Sequence, residues 1–110
     1  PDALLHGEKK GAKFKMALEV ELTRKNNQRI SEKARQYLDS SYYHYVLYFF
    51  SKKNFMQQYL ELFEEKLGKE NMGRFMFFVD EALTGVPTKL ELVEGVFKGK
   101  KIKMGELFIE

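Results

Sequence analysis

The sequence predicts an α/β domain built on a mixed, mainly parallel sheet with flanking helices. Two runs without a polar face, Tyr42 to Phe50 and Arg74 to Asp80, read as strands covered on both sides. Two amphipathic stretches alternate with them, and a third strand pattern, Lys13 to Thr23, precedes the first helix. From residue 13 to residue 80 the order is therefore strand, helix, strand, helix, strand, which implies right-handed parallel crossovers.

Each element has its own signal. Ala3 to His6 forms a short strand, joined through the polar, glycine-bounded turn Gly7-Glu8-Lys9-Lys10-Gly11 to the strand from about Lys13, and the two make a hairpin. Ile30, Ala34, Tyr37 and Leu38 fall at helical spacing between Asn26 and Ser40, with Asn26 or Asn27 available as a cap. The aromatic run from Tyr42 is predicted to be a central strand. Ser51 or Asn54 can cap the next helix, whose stripe of Phe55, Met56, Tyr59, Leu60, Phe63 and Leu67 ends at Gly68. Beyond Asp80 the pattern thins: Gly85-Val86-Pro87 marks a turn, Lys89 to Val93 alternates like a short strand, and Val96 to Ile109 reads as a terminal hairpin around Gly99 or Gly105.

Composition narrows the chemistry. A chain of 110 residues is one domain with a modest core. Cysteine is absent, which excludes disulfides, thiolate nucleophiles and Cys-based zinc sites and is compatible with a reducing, cytoplasmic setting. No apolar run reaches the roughly 20 residues of a membrane-spanning helix, so no membrane partner is expected. The first residue is Pro rather than Met, which suggests a piece of a longer chain.

The net charge of +3 is unevenly spread: residues 1–35 hold nine Lys or Arg against five acids, and residues 96–110 hold four against two. Lys9, Lys10, Lys13, Lys15, Arg24, Lys25 and Arg29 surround an acidic trio in sequence, and Lys98, Lys100, Lys101 and Lys103 form a second cluster. The trio is Asp2, Glu19 and Glu21. Glu19 and Glu21 share one strand face while Leu18, Val20 and Leu22 face the other way. Like charges side by side repel, so one reading is a divalent cation, Mg²⁺ or Mn²⁺, held by the three carboxylates with a basic rim for a polyanion. The other is an ordinary solvated strand face with solubilising lysines around it.

The same residues carry a resemblance. Pro1-Asp2, a glycine-containing hairpin, Leu18-Glu19-Val20-Glu21 and then Lys33-Ala34-Arg35-Gln36-Tyr37 on the following helix resemble the replication-relaxation family of plasmid proteins. That family is similar to a class of mobilisation relaxases and is related to the PD-(D/E)xK restriction-endonuclease-like fold. The resemblance covers about residues 1–50, and later strands only in order and character. It implies a restriction-endonuclease-like sheet, a metal-dependent DNA nicking or nuclease activity in plasmid replication or mobilisation, and DNA as partner. Asp2 takes the place of the motif's first acid and Glu19 that of its second, while Glu21 stands where the motif usually has lysine. Other members of the fold borrow a lysine from the following helix, which makes Lys33 the corresponding catalytic candidate. A helix-surface lysine is its plain alternative.

Other candidates are thinner. His6 lies four residues from Asp2 on the same strand face, as a ligand, a base or a turn histidine. His44 sits among tyrosines and suits a satisfied core position. Tyr37, Tyr42 and Tyr43 are the tyrosines that nucleophilic relaxation chemistry would need. No Walker or dinucleotide-type glycine loop and no serine elbow is present. Two functions follow: a Mg²⁺- or Mn²⁺-dependent nuclease or relaxase domain, or a non-catalytic DNA-binding or protein-interaction module on the same fold. Homo-oligomerisation is compatible with either.

Overall fold

A computed structural model describes residues 1–23, 25–80, 94–97 and 100–103. Among the described residues six strands form one sheet in chain order: β1 (Ala3–Lys9), β2 (Ala12–Glu21), β3 (Tyr45–Phe50), β4 (Phe75–Val79), β5 (Glu94–Phe97) and β6 (Lys100–Lys103). Helix α1 (Asn27–Asp39) links β2 to β3, and α2 (Lys53–Leu67) with a 3-10 turn at Lys69–Arg74 links β3 to β4. β2, β3 and β4 are parallel as the strand and helix order predicts. The remaining three pairings, β1 with β2, β4 with β5 and β5 with β6, are antiparallel. The sheet is α/β and mixed, but it is not mainly parallel. The correction comes from the flanks: the short turns of the β1–β2 and β5–β6 hairpins permit only antiparallel pairing, and β5 also runs antiparallel to β4.

Local chemistry sets the boundaries. The hairpin turn is tighter than the sequence implies: the ladder runs to Lys9 opposite Ala12, and Lys10 and Gly11 turn the chain with positive φ values of 52° and 79°. Asn26 caps α1, its Oδ1 accepting from the Arg29 N–H at 2.8 Å. This fixes the helix phase so that Ile30, Ala34 and Tyr37 are buried. α2 begins without a side-chain cap at Lys52, so neither Ser51 nor Asn54 serves the predicted role, and it stops at Gly68 as the sequence indicates, with φ at 85°. β3 starts at Tyr45, leaving Tyr42, Tyr43 and His44 in the loop before it. The strand expected at Lys89 to Val93 and the alternative turn at Gly105 lie outside the described residues.

The chain steps along the sheet in one direction from β2 to β4, so crossovers of one hand set both helices on the same face. Between them and the sheet lies the larger core, with Ala17, Val46, Tyr48, Phe50, Phe75 and Phe77 meeting Ile30, Tyr59 and Phe63. Tyr48 stacks on Phe77 at 5.7 Å and meets the edge of Phe63 at 5.5 Å. Met16, Leu47, Phe49, Met76 and Phe78 form a second buried cluster on the opposite face. β3 is thus central and buried on both faces, as its unbroken apolar run demands.

Candidate functional site

Strand parity decides where the acids go. β2 pairs with β3 so that Glu19 lies beside Tyr48 and Glu21 beside Phe50, residues of the helix-covered face. Both glutamates are only 2% exposed. A solvated strand face is therefore overturned: the acids point under α1, while Leu22, of the apolar set, is half exposed. Burying a carboxylate in an aromatic layer is costly unless it is paired and hydrogen-bonded.

Helix α1 supplies the pairing. Lys33 and Tyr37 are one turn apart on the helix and reach the same carboxylate. Lys33 Nζ donates to Glu19 Oε2 at 2.9 Å, and the Tyr37 hydroxyl donates to Glu19 Oε1. Burial first, then the bond to Glu19 and its charge, push the Tyr37 hydroxyl far above the usual tyrosine range. Tyr48, in register with Glu19, is likewise pushed up by burial and then by the charge of Glu19. Tyr37 is therefore held as a neutral donor, which argues against it as a nucleophile. Glu21 Oε2 takes the ammonium of Lys25, four residues on.

Asp2 extends the hairpin by one step. Its N–H donates to Leu18 O at 2.9 Å, and its Oδ2 accepts from the Val20 N–H at 2.7 Å. The β1–β2 register, carried one residue past Ala3 opposite Leu18, sets Asp2 across from Glu19. The acids thus occupy the carboxyl end of β2 beside the carboxyl end of β3, where open α/β sheets place their ligand sites.

Each carboxylate is turned to a different donor: Asp2 to a backbone amide, Glu19 to Lys33 and Tyr37, Glu21 to Lys25. Among the described residues no three acidic or histidine side chains are grouped to hold a metal ion. Lys33, the helix-borne lysine, lies beside Glu19.

The basic residues divide. Lys25 and Lys33 lie at the acidic end, and the exposed Arg29 follows on the first turn of α1. Lys10, Lys13 and Lys15 lie at the hairpin end of β2; Lys15 is four residues from Glu19, about 13 Å along the strand. Arg24 and the side chains of Lys9, Lys98, Lys100, Lys101 and Lys103 lie outside the described residues. His6 pairs with Lys15 rather than joining Asp2, and His44 is exposed, not a core histidine: its Nδ1 accepts from the Lys15 N–H at 2.9 Å.

Sequence reasoning missed two contributions. Tyr37 was visible as a tyrosine, and its four-residue spacing from Lys33 was the signal for a shared partner. Arg74 gave none, because it donates to the backbone carbonyls of Leu38, Ser40 and Tyr43. No family model matches the chain, and no curated protein or solved structure matches it either.

Proposed function

We propose that this chain is a DNA-acting domain of the replication-relaxation type, which works by contact with the phosphate backbone and keeps its acidic centre closed by its own cations. The observation that carries this reading is the internal neutralisation of that centre: Glu19 and Glu21 each hold a lysine from α1 or its lead-in, and Asp2 is bonded to a strand amide. A carboxylate set tied up in this way does not repel an approaching phosphate as free acids would. Exposed Lys10, Lys13 and Arg29 remain available for it, in a chain of net charge +3. Contact with about three phosphates gives a log-log salt slope near −2.7, or about a 40-fold loss of affinity for a four-fold rise in salt.

Fluorescence anisotropy with labelled DNA of unrelated sequences, duplex and single-stranded, at two salt concentrations, tests it. Expected is weak binding that falls with salt and ignores sequence. Binding that is absent at low salt, or unchanged by salt, overturns it.

A second reading, metal-dependent nicking with Asp2, Glu19, Glu21 and Lys33, draws on one specific observation: Lys33 reaches Glu19 at the carboxyl ends of the parallel strands. It requires the pairs on Glu19 and Glu21 to open. Nicking of supercoiled plasmid in Mg²⁺ or Mn²⁺, lost in Glu19→Gln, would establish it in place of the first.

A further inference from the structure

The amino ends of the parallel strands carry a second cluster of chemistry, on the side of the sheet away from the acids. Two open grooves meet there, of about 450 and 730 Å³, and both are lined by Lys13, Phe14 and His44. The first continues to His6 and Lys15, the second to Tyr43 and Arg74. Beside them stands Tyr42, half exposed, with Lys15 Nζ 4.2 Å from its ring centroid and Tyr43 edge-on at 4.9 Å.

The loop bearing Tyr42 is held in place. Arg74 donates to Leu38 O at 3.0 Å, to Ser40 O at 2.7 Å and to Tyr43 O, while the Tyr42 N–H donates to Ser40 Oγ at 3.2 Å. On the other side His44 exchanges two bonds with Lys15, its N–H donating to Lys15 O and its Nδ1 accepting from Lys15 N–H, both at 2.9 Å. An acceptor Nδ1 leaves the Nε2 hydrogen of the neutral ring as a donor for an outside group. The main chain around Tyr42 is thus tied in place while its ring stays half open to solvent.

We infer that this surface binds single-stranded DNA, with a base stacked on Tyr42 and neighbouring phosphates held by Lys13, Lys15 and the His44 Nε2 hydrogen. The inference rests on the DNA-contact reading and adds the form of the strand and the place where it lies. A duplex keeps its bases stacked on one another and offers no free π-face to a protruding ring, whereas an unpaired base does. Aromatic and basic groups share the lining of the two grooves, with Glu8, in register with Lys13, as the one acid among the lining residues, and that combination suits an unpaired strand held without reading its sequence.

The test is anisotropy of the full chain with a labelled oligothymidine strand and with a duplex of equal length, comparing the parent with Tyr42→Ala, Tyr42→Phe and the double variant Lys13→Ala, Lys15→Ala. Expected is tighter binding of the single strand, a loss of roughly 5- to 100-fold in Tyr42→Ala, near-parent affinity in Tyr42→Phe, and a shallower salt slope in the lysine variant. Because Tyr42 is a surface residue, far-UV dichroism should find both of its variants folded. Preference for duplex, or single-strand affinity indifferent to Tyr42→Ala, overturns this inference while leaving DNA contact standing. Failure to bind either form at low salt overturns both.

Discussion

The Tyr37 hydroxyl donates to Oε1 of Glu19 across the helix–sheet interface, inside a layer built mainly of aromatic and aliphatic side chains. This bond joins residues 18 positions apart and pins α1 to the strand it follows. In Tyr37→Phe the Glu19 oxygen loses its donor, and a hydrogen bond to a charged group is worth about 1.5–3 kcal/mol. A fall in melting temperature of at least about 4 °C is expected in calorimetry. No change would mean that water replaces the hydroxyl without cost.

Lys33→Ala removes the lysine partner of Glu19. A wholly buried pair broken on one side loses about 3–5 kcal/mol, but the Lys33 side chain is 38% exposed, so solvent screens part of the effect. About 1–3 kcal/mol is expected, read from urea midpoints, with Lys33→Arg recovering most of it.

Alkaline stability follows from the tyrosines. The fold keeps Tyr37 and Tyr48 neutral well above the usual tyrosine range, while in the unfolded chain they ionise near pH 10. Above about pH 10 the unfolded state therefore binds fewer protons than the folded one, and stability falls as pH rises. The deeply buried Tyr48 alone contributes a slope of about 1.4 kcal/mol per pH unit there and nothing below about pH 9. Tyr48→Phe should flatten the decline in chemical-denaturation series across that window. An unchanged slope would place the titration elsewhere.

The pairing of β4 with β5 makes a steric prediction. A Cβ on Gly95 would stand 2.4 Å from Phe77 O and 2.3 Å from the Phe78 ring. A backbone oxygen cannot step aside, so Gly95→Ala should cost about 1–3 kcal/mol. A substitution that leaves the melting curve alone would contradict the antiparallel partner of β4.

Most of the frame was legible because its signals are local: the unbroken apolar run into Phe50, the stripe on α2, the stop at Gly68, the cap at Asn26. The share of parallel pairing was not, because it depends on the direction in which β5 joins β4, and the signal beyond Asp80 is weak. At the site, period-two alternation correctly put Glu19 and Glu21 on one face. It could not say which face the helices would cover, and the rule that charge faces water pointed the wrong way. Only the four-residue step from Lys33 to Tyr37, met with the phase of α1, explains how an acid survives there. The loop fixed by Arg74 was invisible, since an arginine that binds main-chain carbonyls needs no particular residue opposite it.

The position of β3 also governs how the molecule comes apart. Its amides are bonded between β2 and β4 and covered on both faces, so no fraying of an edge can bare them. In deuterium exchange they should wait for the opening of the whole sheet, while β1, bonded among the described residues to β2 alone, trades its outward protons at the pace of a free edge. The slowest clock in the protein would then run in Val46 to Phe49, and its rate would read out global unfolding directly.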